Sequence, residues 1–140
     1  MLAPIFLAIL SLSNTVSGVA LFRKRTVPQN LTEACSASLL SDVECSPFVA
    51  SLEAGSHYPE SILARTCTAG CAASLSRWQA YVTSSCSGQS WSGYHGKTMP
   101  LEMIPDMMHY SFNLSCITDH GRFCNTVAAQ AAYASDPSSE

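Results

Sequence analysis

The stretch Cys67–Cys86, CTAGCAASLSRWQAYVTSSC, decides the fold class of this chain. Its apolar and cysteine positions are Cys67, Cys71, Leu75, Trp78, Val82 and Cys86. They follow one another at steps of 4, 4, 3, 4 and 4, which match the period of an α-helix and exclude a β-strand. Three cysteines on the same buried face as a tryptophan favour structural disulfides over reactive thiols.

The spacing of the first two cysteines constrains their pairing. Side chains at positions i and i+4 of a helix have Cβ atoms about 5–6 Å apart, whereas a disulfide needs roughly 3.5–4.5 Å. We therefore expect Cys67 and Cys71 to bond to different partners, unless Thr68 and Gly70 unwind the first turn.

Composition places the chain among small, folded, secreted domains. Of 140 residues, 47% are apolar and only 12% are charged, which excludes a disordered chain. The net charge of −3 and the scarcity of basic residues exclude a nucleic-acid-binding surface. All seven cysteines are disulfide candidates, namely Cys35, Cys45, Cys67, Cys71, Cys86, Cys116 and Cys124. Because seven is odd, one thiol stays free, lacks its partner, or links two chains as a disulfide-bonded dimer.

Five further segments are predicted to be short helices. One can start after Tyr58-Pro59, with Ile62 and Leu63 directed inward. Thr32 can cap a helix that continues through Val43, and Ser46-Pro47 starts one that ends at Gly55. Pro105-Asp106 starts another, and the last runs from about Arg122 to Ala134. The predicted fold is all-α, a small disulfide-stapled bundle of short helices with irregular loops.

The N-terminus is typical of a secretory signal peptide, assigned to residues 1–20. The apolar run Leu2–Leu10 is too short to span a membrane. Cleavage after Ala20 is preferred and cleavage after Gly18 is second; the alternative is a buried N-terminal helix. No membrane association is expected once the signal peptide is removed.

Residues 21–25 form a candidate pro-segment that contains the basic cluster Arg23-Lys24-Arg25. Lys24 and Arg25 form a dibasic pair, either a processing site cut after Arg25 or a solvated run of charge. The cysteine-rich helical domain is assigned to residues 26–134, and residues 135–140 form a disordered tail.

Two glycosylation acceptors agree with export to an oxidising compartment. Asn30 and Asn113 each begin an N-x-[ST] sequon. Together with the signal peptide and the cysteines, they predict a secreted protein that is extracellular or bound to the cell wall.

Motifs for catalysis and cofactor binding are weak. The chain has no G-x-S-x-G elbow and no phosphate-binding glycine loop. Cys67 and Cys71 lack the second matching pair of a zinc site, so no metal and no cofactor are predicted. A Ser-His-Asp set could be assembled only on paper from the histidines, which are His57, His95, His109 and His120. No catalytic residue is predicted, and a small secreted hydrolase remains the alternative.

One loop carries a candidate binding feature. The Gly/Ser-rich stretch from Ser87 to Lys97 holds Trp91 and Tyr94. These aromatics could stack on sugar rings, or they could cap the small core.

A longer string of residues resembles a known family. Its parts are Cys67-Thr68-x-x-Cys71, Ser74-Leu75-x-x-Trp78, Asn113-Leu114-Ser115-Cys116-Ile117-x-Asp119 and Gly121-x-Phe123-Cys124-Asn125. This string is similar to the N-terminal cysteine-rich region of fungal secreted LysM-domain proteins, and the resemblance covers about Cys35 to Ala134.

The resemblance implies a non-enzymatic protein at the cell wall or the host interface. In that family LysM modules bind chitin-type N-acetylglucosamine polymers, but their Y-x-V-x-x-G-D-T pattern is absent from this sequence. Chitin or another wall polysaccharide is therefore implied as a partner by resemblance alone. A stand-alone carbohydrate-binding module using Trp91 and Tyr94 is the second reading.

Overall fold

A computed structural model describes residues 18–92 and 97–134. Most of the predicted signal peptide, the 135–140 tail, Tyr94 and His95 lie outside these residues. In the described part the helices are α1 Glu33–Leu39, α2 Glu60–Thr66, α3 Ala69–Ser85, α4 Met103–Cys116 and α5 Cys124–Ala134, with a 3₁₀ helix at Pro47–Ser51. No helix in this part is both long and apolar enough to cross a membrane.

The strands of the described residues are short and form antiparallel two-stranded ribbons. They pair β1 Val19–Ala20 with β2 Asp42–Val43, β3 Ser90–Ser92 with β4 Thr98–Pro100, and β5 Thr118–Asp119 with β6 Arg122–Phe123. Because helices supply most of the core, the predicted small all-α bundle is confirmed.

Helix α3 is the centre of the domain, and α1 and α4 pack against it. It begins at Ala69 rather than Cys67, because the Thr68 hydroxyl accepts a hydrogen bond from the Cys71 amide at 3.1 Å and caps the helix. Trp78 is 3% exposed, and its Nε1 donates to the Ser38 carbonyl at 3.1 Å. The polar end of the buried indole is thereby satisfied.

Helix α1 is shorter than its sequence predicts. Thr32 caps it as expected, accepting from the Cys35 amide at 3.3 Å. The helix ends at Leu39 instead of Val43, because Val43 lies in β2 and pairs with Val19. Tertiary pairing here overrides the local apolar pattern.

Three other boundaries also differ from the prediction. The segment after Ser46 is a 3₁₀ helix that ends at Ser51, before Gly55. Helix α4 starts at Met103, so that Pro105 lies in its first turn, where a missing amide proton costs no hydrogen bond. Helix α5 starts at Cys124, because the residues before it belong to the β5–β6 hairpin.

Three disulfides connect the elements of the described chain: Cys35–Cys86, Cys45–Cys71 and Cys67–Cys116. Cys67 and Cys71 have different partners, in agreement with the distance argument. Cys124 is free and partly exposed. Every one of these disulfides has one cysteine within α3 or within two residues of its ends, so the cross-links concentrate around that helix.

Candidate functional site

An apolar groove of about 350 Å³ opens where the N-terminal segment, the β3–β4 hairpin and α4 meet. We call it the Trp91 groove. Its lining residues are mostly aliphatic, aromatic or methionine side chains: Leu21, Phe22, Ala50, Leu52, Trp91, Met99, Ile104, Met107, Met108 and Ser111. A concave apolar surface with few polar groups is typical of a binding site.

Trp91 lies on β3 opposite Met99, within the segment predicted to be a loop. Its side chain is partly buried against the core, and its remaining surface lines the groove. The indole thus packs against the core, one of the two roles that its sequence context allowed, while sugar stacking stays a prediction. Its predicted companion, Tyr94, lies outside the described residues.

Phe22 forms part of the groove floor, a role that the sequence did not predict. Its ring stacks on Trp78, with centroids 6.3 Å apart and planes 14° apart. It also meets Trp91 edge-on, with centroids 6.5 Å apart. Both geometries are favourable for aromatic pairs. The available signal is an aromatic residue directly before the basic cluster Arg23-Lys24-Arg25, but that cluster places Phe22 in the candidate pro-segment.

Methionines give the groove an adaptable wall. Met107 is 48% exposed, while Met99 and Met108 are partly buried. Unbranched, polarizable methionine side chains can repack around ligands of different shape. The groove therefore has an aromatic part, formed by Phe22 and Trp91, and a methionine part that can change shape.

His109 makes the most catalysis-like contact among the described histidines. Its Nε2 lies 3.2 Å from Ser76 Oγ, and its Nδ1 lies 3.1 Å from Asn113 Nδ2. However, the Ser76 hydroxyl donates its proton to the Ala72 carbonyl at 3.0 Å. A nucleophile needs that proton directed at its base, so the arrangement is suited to linking α3 to α4.

The other described histidines lie apart from this pair. His57 Nδ1 is 3.3 Å from the Asn125 carbonyl oxygen, and His120 is an exposed hairpin residue 3.7 Å from Asp119. Within the described residues no group of three or more His, Cys, Asp or Glu could hold a metal ion.

Comparisons with known proteins identify the family of the chain. The family model for the secreted LysM effector N-terminal domain matches residues 22–136. The chain belongs to this family. The match begins at Phe22, the residue that stacks on Trp78.

Two relatives show how much of a longer protein this domain represents. A LysM domain-containing protein of Arthroderma benhamiae is 35% identical over 123 residues, which is 88% of this chain and 23% of the relative. The secreted LysM effector Vd5LysM of Verticillium dahliae is 37% identical over 115 residues, 80% of this chain and 16% of the relative. The chain thus spans less than a quarter of either relative's length. No solved structure matches.

Membership in this family confirms the resemblance seen in the sequence, and the LysM effector domain is secreted and extracellular. Its predicted glycosylation acceptors, Asn30 and Asn113, are both exposed. Within their sequons, Thr32 caps α1 and Ser115 is buried at 2% exposure. Attachment of glycans at both asparagines stays a prediction.

The predicted processing residues of the LysM effector domain, Lys24 and Arg25, lie exposed in a tight turn. The Thr26 amide donates to the Arg23 carbonyl at 2.8 Å, and the Thr26 hydroxyl donates to the same oxygen at 2.8 Å. Val27, the next residue, is buried. Cleavage at this turn stays a prediction.

Two hydrogen bonds of the Asn125 side chain attach α5 to the loop before α2, and the sequence did not predict them. We call them the Asn125 latch. The Asn125 side chain donates to the Ser56 carbonyl at 2.7 Å and accepts from the Tyr58 amide at 2.8 Å. The available signal was an asparagine directly after Cys124, at the start of α5. Its role depends on a loop nearly 70 residues away in the sequence.

Proposed function

We propose that this LysM effector domain is a secreted, non-enzymatic binding module that acts at the fungal cell wall or the host interface. The contact surface is the Trp91 groove, and the ligand class is a chitin-type polysaccharide or another wall polysaccharide. The observation that carries the proposal is the partly exposed indole of Trp91 above a concave apolar surface.

The chemistry of the groove fits an N-acetylated sugar. The flat apolar side of a sugar ring can lie against an aromatic face, as amphipathic rings do at wet interfaces. The acetyl methyl group is apolar and can enter the methionine-lined side formed by Met99, Met107 and Met108. Ser111 supplies a hydroxyl at the groove for hydrogen bonding.

The experiment is a pull-down of the oxidised, secreted protein on insoluble chitin, with cellulose and β-glucan as comparison polymers. We expect retention on chitin and a loss of at least about tenfold in affinity for Trp91→Ala, equivalent to about 1.4 kcal/mol. Tyr110→Ala is the matched control, because Tyr110 is an exposed aromatic residue of α4. Equal retention of the Trp91 variant and the unmodified protein would refute the proposed surface.

A covalent dimer through Cys124 is the proposed homotypic interaction. The other six cysteines pair within the chain, and Cys124 is partly exposed. Exposed Leu114 and Ile117 line the same cleft as Cys124, so a second chain would cover apolar surface there. Non-reducing electrophoresis should show a dimer that Cys124→Ser abolishes; a monomer in both samples would refute it.

A further inference from the structure

The segment immediately after Gly18 is built into the folded domain. Val19 pairs with Val43 and Ala20 with Asp42 in an antiparallel ribbon. Val43 is completely buried, and Val19 packs against the same core. Among the described strands, β1 is therefore the only pairing partner of β2.

The next two residues belong to the Trp91 groove. Leu21 and Phe22 both line it, and Phe22 lies between Trp78 and Trp91. Trp78 is only 3% exposed, and the stacked ring of Phe22 covers part of its surface. Loss of this segment would uncover a tryptophan of the core.

Gly18 directly precedes β1 and lies close to Asp42. A Cβ at position 18 would lie 2.8 Å from the Asp42 Cβ and 3.6 Å from Asp42 Oδ2, so the chain there runs directly beside the carboxylate. Any side chain at position 18 would therefore force the Asp42 side chain to shift.

We propose that signal peptidase cuts after Gly18, so that the mature domain begins at Val19. The cleavage pattern favours small residues at the first and third positions before the cut. Gly18 and Ala20 each supply the first of these; the third is Val16 for a cut after Gly18 and Gly18 for a cut after Ala20. Cleavage after Gly18 keeps both residues of β1 and their pairing with β2. Cleavage after Ala20 removes both residues of β1, and cleavage after Arg25 also removes Phe22. The site therefore differs from the one that the sequence pattern favoured.

The first test expresses the full precursor in a fungal secretory host and determines the N-terminal sequence of the secreted protein. Intact mass is measured after enzymatic removal of glycans. We expect the sequence to begin Val19-Ala20-Leu21-Phe22. A first residue of Leu21 or Thr26 would overturn the proposal, and neither result depends on whether the Trp91 groove binds a sugar.

A matched pair of variants tests the choice of site directly. Gly18→Leu places a large residue directly before the proposed cut, and Ala20→Leu places one directly before the alternative cut. Because Gly18 is also the third residue before the alternative cut, the first residue of the secreted Ala20→Leu variant is the deciding readout. We expect Gly18→Leu to lower secretion several-fold or to move the first residue away from Val19. Ala20→Leu should leave both the first residue and the yield unchanged, because Ala20 is exposed in the folded domain. The reverse pattern would overturn the proposal.

Discussion

Helices α3 and α5 were both predicted from apolar periodicity, yet they end up in opposite environments. Helix α3 buries Cys71, Ser74, Leu75, Trp78 and Val82, and disulfides at Cys71 and Cys86 attach it to other elements. Helix α5 has no buried residue, and Val127 and Tyr133 are 41% and 75% exposed. An apolar stripe thus predicts a helix, but it does not say how deeply that stripe is buried.

The largest expected effect comes from removing a disulfide at the α3 end. The Cys35→Ala/Cys86→Ala variant should lose about 4 kcal/mol in the free energy of unfolding, because the bond closes a loop of 51 residues. Urea denaturation of the oxidised protein measures this loss. Cys124→Ala is the control and should change stability by less than about 1 kcal/mol, since its thiol is unpaired. Equal losses in the two variants would erase the contrast between the regions.

Substituting one leucine in each region compares α3 with the α5 end without changing a disulfide. Leu75 of α3 is 1% exposed, whereas Leu114, near α5, is 38% exposed. We expect Leu75→Ala to cost about 2–5 kcal/mol, since it removes buried methyl groups and leaves a cavity. Leu114→Ala should cost less than about 1 kcal/mol. Thermal and denaturant unfolding distinguish these values. A loss at Leu114 as large as at Leu75 would mean that the α5 end is buried in solution.

The smallest effect concerns the latch that holds α5. Asn125→Ala should cost about 1–2 kcal/mol, because it leaves the Ser56 carbonyl and the Tyr58 amide without their side-chain partner. Amide hydrogen exchange should rise in α5 while α3 keeps its protection. Thr126→Ala, at the adjacent position of α5, is the control. If exchange rises equally in α3 and α5, the two regions unfold as one unit and the comparison fails.

The sequence predicted the elements whose signals are local. The period of Cys67–Cys86 identified α3, and Thr32 and Ser46 mark true helix starts. The contacts that it did not predict have one physical origin. Val43, Trp91 and Phe22 are placed by strand pairing or ring stacking with residues far away along the chain. Such contacts are decided by chain topology, which short-range periodicity does not contain.

The candidate site shows the same division. Trp91 could be selected from its polar, glycine-rich surroundings, but the groove that contains it draws residues from four separate parts of the chain. Phe22 was assigned to a candidate pro-segment, because it directly precedes the basic cluster Arg23-Lys24-Arg25. Asn125 was missed because its partners are far away in sequence.

By itself, the sequence determined that this is a secreted, disulfide-stapled helical domain, because composition, helix period and cysteine content are local properties. Its relation to secreted LysM effectors came from the resemblance of a motif string, which the family match confirms. Only the tertiary structure decided which thiol stays free and which aromatic residues meet at the groove. A disulfide or a stacked pair forms only where two distant backbones approach within a few ångströms. That distance is set by the packing of the whole chain.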